Sequence, residues 1–302
     1  MSDVVALLVQ QVMVMALLMA AGFAAFKAKL VDSAGAKQVS NLVLYVATPA
    51  MVVNSFIAPF DAQRLVKAGW TFAFAGATFV FAFILVKTVF RGLSNIGKFG
   101  VLFSNVGFLG IPLVQMVLGQ ESVFYMAMTV AMMTLISFTY GMFLVSGDRS
   151  AMSVKKVFTN PPIIAVIAGL LIYCLQISFP ATVTRTISML SGITAPLSMM
   201  VLGCYLAEAD MKKVFSSKET WLILLGRLIL VPALVLIMLR FVPASLDEIK
   251  AVTLIAASTP IAGILGMLTQ KYGGDYAYGA GVVSLSTILS LVTMPLFLAL
   301  LG

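Results

Sequence analysis

Long apolar runs alternate with short polar segments along almost the whole chain. A membrane-spanning helix needs about 20 mostly apolar residues, and ten runs reach that length. These runs cover residues 3–26, 38–58, 65–90, 98–119, 121–146, 159–179, 182–208, 218–242, 247–271 and 275–300. The segments between them are short, and none is rich in Ser or Pro. The pattern predicts an all-α polytopic membrane protein with ten transmembrane helices.

Polar residues, glycines and prolines interrupt two of these runs. Span four contains SNVGFLGIPLV at residues 104–114, and span nine contains STPIAGILGM at residues 258–267. Gly and Pro both free backbone groups from helical pairing, and lipid offers those groups no hydrogen bonds. We therefore expect helices four and nine to break and to cross near the middle of the membrane.

The two halves of the chain are weakly similar to each other. A shift of 147 residues places Pro49 on Pro196, and a shift of 154 residues places Ser104 on Ser258. Because each half holds five spans, an odd number, the second half enters the membrane from the opposite side. Inverted repeats with interrupted helices at matching places are the architecture of secondary transporters. The predicted domains are two inverted five-helix repeats, residues 1–150 and 151–302.

Composition supports a membrane protein, and the positive charges suggest its orientation. Of the 302 residues, 61% are hydrophobic and 10% are charged, whereas about a quarter of a soluble domain is charged. The loops after the odd-numbered spans carry 13 of the 19 Lys and Arg residues, and the opposite side carries five. The positive-inside rule then predicts cytoplasmic odd-numbered loops and both termini outside, in a bacterial inner membrane. Basic residues in such short clusters do not indicate nucleic-acid binding.

The chain offers little to an enzyme. It has no His, and its Asp and Glu residues all lie at span ends or in loops. An intramembrane enzyme needs a nucleophile with a base, paired carboxylates or a metal set within the spans. We therefore expect no enzyme, no catalytic residue, no metal and no cofactor. A channel is disfavoured by the inverted repeat with broken helices, so the pattern favours a carrier.

The two breaks supply the candidate substrate-binding groups. The N-terminal end of a half-helix offers free N–H groups and a positive dipole end, which suit an organic carboxylate. Ser, Thr and Asn side chains beside the breaks add donors and acceptors, and the prolines expose carbonyl groups. The predicted residues at the breaks are Ser104, Asn105, Gly107, Gly110, Pro112, Ser258, Thr259 and Pro260.

Two more polar residues inside spans complete the predicted substrate-binding set. Arg227, in span eight, either extends to the membrane interface or lies beside the crossing, where it would neutralise carbonyl ends or attract an anion. Asn54, in span two, either contacts the substrate or hydrogen-bonds to a neighbouring helix, and the second interpretation is favoured.

Segments in order along the chain are similar to those of a known family. They are NLVLYVATPAMVVNSF, SNVGFLGIPLV, TNPPIIAVIAGLLI, GITAPLSMMVLGCYLAE, GRLILVPAL and TPIAGILGMLTQKYGGDYAYGAGVVSLSTILSLVTMPLF. Together they resemble the bacterial branch of the auxin efflux carrier family, related in fold to bile acid symporters and sodium/proton antiporters. The resemblance implies that helices one, two, six and seven form a scaffold that dimerises. Helices three to five and eight to ten would form a moving transport domain. It also points to carboxylates as substrates: monocarboxylates, dicarboxylates or auxin-like acids.

The coupling ion stays open at this point. The related symporters and antiporters carry an acidic residue near the crossing, whereas this chain has Ser258 and Thr259 there. That departure puts ordinary sodium or proton coupling in doubt. Sodium binding through Ser104, Asn105 and Thr259 remains an alternative, because Ser-Asn before the break resembles part of the symporters' sodium site. A sodium-coupled symporter of the bile acid type is therefore the second hypothesis.

Overall fold

Helices are the only extended regular elements in the described parts of this computed structural model, which are residues 2–209, 211–265 and 276–301. The main helices are α1 (Ser2–Lys27), α2 (Ser33–Phe56), α3 (Ala62–Thr88), α4 (Asn95–Leu102), α5 (Val106–Leu118), α6 (Gln120–Ser146), α7 (Pro161–Leu175), α8 (Ala181–Glu208), α9 (Lys218–Leu239), α10 (Asp247–Ser258) and α11 (Tyr276–Ala299). Short helical turns over Arg149–Ala151, Val154–Phe158, Met211–Ser216 and Ala244–Leu246 lie between them. The all-helical class predicted from the sequence is confirmed.

Seven helices within the described residues are long and apolar enough to cross a membrane, and α5 and α7 are shorter apolar helices. Predicted span four is not one helix, because it divides into α4 and α5. Predicted span nine is helical through α10 and leaves the helix after Ser258. Its last part, residues 266–271, lies outside the described residues. The ten-helix inverted repeat remains a prediction.

Local side chains explain where several helices begin and end. Asp32 accepts a hydrogen bond from the Gly35 N–H at 2.7 Å, and this cap starts α2 five residues before the apolar run does. Asp61 caps α3 in the same way. Gln176 adopts a left-handed conformation with φ of 50°, which ends α7 before the predicted limit of 179. Charged and polar caps therefore set boundaries that hydrophobicity alone cannot locate.

Wide π-type turns precede three of the prolines within helices. They lie at Val43–Ala47 before Pro49, at Val106–Gly110 before Pro112, and at Gly226–Leu230 before Pro232. A proline has no backbone N–H to donate, and its ring clashes with the carbonyl four residues earlier. A wide turn relieves that clash and lets the helix continue.

The helices pack in two groups. In one group, α1 packs on α8, and α2 packs on both α7 and α8. In the other group, α3 packs on α6, α4 packs on α9, and α10 packs on both α9 and α11. The groups meet where α5 and α11 contact α1 and α8, and where α6 contacts α2 and α7.

Glycines bring α1 and α8 into backbone contact. A Cβ atom added to Gly203 would lie 2.0 Å from the Met19 carbonyl oxygen, and one added to Gly22 would lie 2.0 Å from the Met200 carbonyl oxygen. The Cys204 thiol also donates to the Gly22 carbonyl at 3.4 Å. Small residues at such a crossing let membrane helices gain close van der Waals packing.

Candidate functional site

Helix α4 stops inside predicted span four and the chain then runs extended. Phe103 has φ of −112° and ψ of 127°, so it leaves the helix. Asn105 follows with φ of −82° and ψ of 56°, and its Oδ1 accepts from the Phe108 N–H at 3.3 Å. Asn105 therefore caps the N-terminal end of α5, as short amide side chains commonly do.

Helix α10 stops in a comparable way. Thr259 is extended, with φ of −64° and ψ of 149°, and it directly precedes Pro260. A residue before proline is pushed out of the helical region by the proline ring. The Thr259 hydroxyl donates to the Ala256 carbonyl at 2.8 Å, which satisfies one carbonyl at the end of α10.

The two interruptions pair with each other. The Asn105 N–H donates to the Pro260 carbonyl at 2.8 Å, and the Ala262 N–H donates to the Phe103 carbonyl at 3.0 Å. Ser104 lies opposite Ile261 in this antiparallel bridge. The pair satisfies backbone groups that lipid would leave unbonded. We call these paired segments, 103–105 and 260–262, the crossing.

Arg227 lies fully buried beside the crossing, with 0% of its surface exposed. Its Nη1 donates to the Val101 carbonyl at 3.3 Å, and its Nη2 donates to the Ala257 carbonyl. Those two carbonyls belong to the last residue but one of α4 and of α10. The guanidinium thus meets the negative ends of two helix dipoles at once. Of the two sequence interpretations, this geometry matches the position beside the crossing and not an extension to the interface.

Three buried polar side chains in or beside the crossing have atoms without a hydrogen-bond partner among the described residues. They are the Asn105 amide nitrogen, the Ser258 hydroxyl and the Arg227 Nε, whose residues are 5%, 1% and 0% exposed. Buried polar groups in proteins are almost always bonded, and each exception needs an explanation. Buried donors that lack a protein partner suit a polar ligand or an ordered water.

The glycines near the crossing differ in the space around them. A Cβ added to Gly110 would lie 2.8 Å from the Met126 Cε and 3.4 Å from the Thr259 Cγ2, so Gly110 serves close packing. Among the described residues, nothing lies within 4 Å of a Cβ added to Gly107 or to Gly263. Gly107 is in the first turn of α5, so open space adjoins the positive end of that helix. Pro112, one turn further on, is buried.

In the part of the chain that the structure describes, no carboxylate lies on the helix ends and extended segments that form the crossing. Residues 95–118 and 247–265 carry Asp or Glu only at Asp247 and Glu248, in the first turn of α10. The negative helix ends therefore have Arg227 as counter-charge, whereas the positive end of α5 has none. Such an end favours an anion.

The structure also bears on metal binding and on Asn54. Within the described residues, no group of three or more His, Cys, Asp or Glu residues could hold a metal ion. A sodium site at Ser104, Asn105 and Thr259 stays a prediction, although Ser104 and Asn105 lie in the crossing. Asn54 is half-buried near the end of α2, and none of the hydrogen bonds that define the crossing involves it.

One residue that supports the crossing was not predicted from the sequence. The Ser286 hydroxyl of α11 accepts from the Ile261 N–H at 3.1 Å and donates to the Val283 carbonyl at 2.7 Å. Ser286 therefore fixes the second segment of the crossing to α11 through a hydrogen bond. The available signal was the run SLSTILS within an apolar span, where Ser286 and Ser290 lie one turn apart.

Enlarging Gly107 tests whether the open space is used. We expect Gly107→Val to leave the melting temperature of the purified protein within about 2 °C of wild type, because nothing lies within 4 Å of the new Cβ. We expect the same change to weaken anion binding at least tenfold, because it fills the space at the α5 N-terminus. Gly192→Val, also in open space but on α8, is the matched control. Equal anion affinity in the two variants would contradict a role for this space.

Comparison with known proteins identifies the family of this chain. A family model described as membrane transport protein matches residues 7–156 and 148–298. A Rhizobium meliloti (strain 1021) protein named "Putative malonate transporter" is 24% identical over 285 residues, covering 88% of each chain. A Methanothermobacter thermautotrophicus protein named "Uncharacterized transporter" is 28% identical over 218 residues, covering 68% of this chain and 69% of that one. Together with its apolar helices, these matches make the chain a multi-pass membrane protein. It belongs to the auxin efflux carrier-type family of membrane transport proteins.

Proposed function

We propose that this protein is a secondary transporter that carries small organic anions across a bacterial inner membrane by alternating access. The observation that carries the proposal is the crossing, where two interrupted helices pair through the Asn105 and Ala262 N–H groups. Interrupted helices in transporters bring dipole ends and unpaired backbone groups to one place inside the membrane. A site of this kind binds a charged solute without needing a charged side chain for every contact.

The charges around the crossing favour an anion. Arg227 neutralises the carbonyl ends of α4 and α10, so these ends do not repel a carboxylate. The N-terminal end of α5 presents its positive dipole end beside the open space at Gly107. The Asn105 amide nitrogen and the Ser258 hydroxyl, which have no partner among the described residues, are additional donors for carboxylate oxygens. Hydrogen bonds to an ionised partner are roughly twice as strong as neutral ones.

The helix packing supports a division into a scaffold and a moving part. We assign α1, α2, α7 and α8 to the scaffold, and α3 to α6 with α9 to α11 to the transport domain. Contacts within each group agree with this division. In this proposal the two halves of the chain are inverted repeats, the scaffold helices form a homodimer, and both termini face the periplasm.

The printed name of the Rhizobium relative suggests where to look for a substrate. That name refers to malonate, a small dicarboxylate, and the donors at the crossing suit carboxylate oxygens. We therefore place small dicarboxylates first among candidate substrates, ahead of monocarboxylates and auxin-like aromatic acids.

Ligand-dependent thermal stability tests this proposal without a prior choice of substrate. Detergent-purified wild type, Asn105→Ala and Asn41→Ala would be melted with potassium malonate, succinate, pyruvate or indole-3-acetate. A ligand at 100 times its Kd stabilises the native state by about 2.7 kcal/mol. We expect one class of carboxylate to raise the melting temperature of wild type and of Asn41→Ala, an exposed control on α2, and not that of Asn105→Ala.

The same experiment separates coupling mechanisms. A shift that requires sodium chloride in place of potassium chloride would favour the sodium-coupled symporter over a sodium-independent carrier. A shift by no anion in wild type, or an equal shift in Asn105→Ala, would overturn the assignment of the site to the crossing.

A further inference from the structure

A row of buried hydroxyl groups lies on α8, outside the site described above. Ser191, Thr194 and Ser198 are 1%, 0% and 0% exposed. Their spacing of three and four residues places them within an arc of about 60° on one side of the helix. We call these three residues the hydroxyl row.

Contacts of α8 with its neighbours show where the hydroxyl row lies. The Ser191 hydroxyl donates to the Gln120 Oε1 at 3.5 Å, and Gln120 is the first residue of α6, just beyond the end of α5. Gly203, on another side of α8, packs against α1. Helix α8 contacts both α2 and α5, and Gln120 also donates to the Met51 carbonyl of α2 at 3.2 Å. The Ser191 end of the hydroxyl row therefore lies where α8 meets α2 and the end of α5. From Ser191, the row runs from the level of the α5 C-terminal end towards the level of its N-terminal end.

Two hydroxyls of the row have no hydrogen-bond partner among the described residues, namely those of Thr194 and Ser198. Several other buried hydroxyls donate to the carbonyl one turn earlier, for example Thr71 at 3.0 Å and Thr78 at 2.9 Å. A buried hydroxyl without a hydrogen-bond partner destabilises the folded protein. Two of them one turn apart, on a helix that contacts α5, point to a polar ligand between the helices.

We infer that the Thr194 and Ser198 hydroxyls donate hydrogen bonds to the carboxylate of the transported anion, so that the scaffold supplies one wall of the binding site. This inference rests on the proposed function and adds to it a second set of residues on the scaffold side. The anion then lies between the α5 N-terminal end and α8. Donors on both the scaffold and the transport domain let the solute keep polar contacts while one part moves against the other.

Removing each hydroxyl at nearly constant volume tests the inference. Thr194→Val and Ser198→Ala would be titrated with the best-stabilising carboxylate in the thermal assay, beside wild type. We expect the apparent Kd to rise about tenfold in each variant, because a hydrogen bond to a charged group is lost. We expect the melting temperature without ligand to stay level or rise, because an unbonded buried hydroxyl has been removed.

Two matched variants serve as controls. Thr78→Val removes a hydroxyl that is already bonded to the Phe74 carbonyl and should leave the Kd unchanged. Ser198→Thr keeps a hydroxyl at the row and should restore affinity towards the wild-type value. An unchanged Kd in both Thr194→Val and Ser198→Ala, with binding still lost in Asn105→Ala, would overturn this inference and leave the proposed function standing. Wild type that binds no carboxylate would overturn both.

Discussion

Replacing Arg227 by methionine is expected to lower the free energy of unfolding by about 2–4 kcal/mol and to abolish anion binding. Two buried carbonyls, those of Val101 and Ala257, lose their donor, and each unbonded buried acceptor costs about 1–3 kcal/mol. Release of a buried cation offsets part of that loss. The carbonyl ends of α4 and α10 also lose their counter-charge, so the crossing no longer favours an anion.

The melting temperature in detergent measures this effect, and we expect a fall on the order of 5–10 °C. Arg227→Lys keeps the charge without the planar two-point geometry, so it should fall between wild type and Arg227→Met. Arg240→Met, at the exposed end of the same helix, is the matched control and should melt like wild type. Arg227→Met that behaves like Arg240→Met would show that the guanidinium does not hold the two helix ends.

Replacing Gly203 by alanine is the second change with a large expected effect. The new Cβ would lie 2.0 Å from a backbone oxygen of α1, and backbone cannot rotate away as a flexible side chain can. Helices α1 and α8 would have to separate by more than 1 Å to reach ordinary contact distance. We expect a loss of about 3 kcal/mol, the upper end of the usual cost of overpacking.

Gly192→Ala provides the comparison for Gly203→Ala. Gly192 lies on the same helix, and no atom of the described residues is within 4 Å of its added Cβ. Alanine is a better helix former than glycine by about 1 kcal/mol, so this variant should melt at or above the wild-type temperature. Thermal unfolding with size-exclusion chromatography measures both variants. Equal melting temperatures for the two alanine variants would contradict backbone contact between α1 and α8 at Gly203.

The sequence located the interruptions but not their register. The Ser-Asn pair, the glycines and Pro112 predict a break because their chemistry acts within one turn, and the backbone is interrupted there. The shift of 154 residues aligns Ser104 with Ser258, whereas in space Ser104 lies opposite Ile261. Similarity along a chain says which segments correspond, but the angle at which two helices cross decides which residues pair.

Arg227 shows a second limit of the sequence. Its depth within an apolar run allowed two directions for a long side chain, towards the interface or towards the protein interior. Only the packing of α9 against α4 and α10 selects between them. The row of Ser191, Thr194 and Ser198 was not predicted from the sequence, because further hydroxyl residues at 182, 184, 186 and 188 precede it in the same span and conceal its helical spacing.

Solute counterflow in proteoliposomes is the measurement that tests the central claim most directly. Vesicles holding wild type would be loaded with unlabelled malonate, or with the carboxylate that stabilises best, and diluted into a trace of the labelled compound. A carrier with one site that faces each side in turn is expected to accumulate label transiently above the outside concentration, with saturable rates and with little uptake by Asn105→Ala. Label that only equilibrates, at a rate linear in concentration and equal in wild type and Asn105→Ala, would contradict carriage of an organic anion at the crossing.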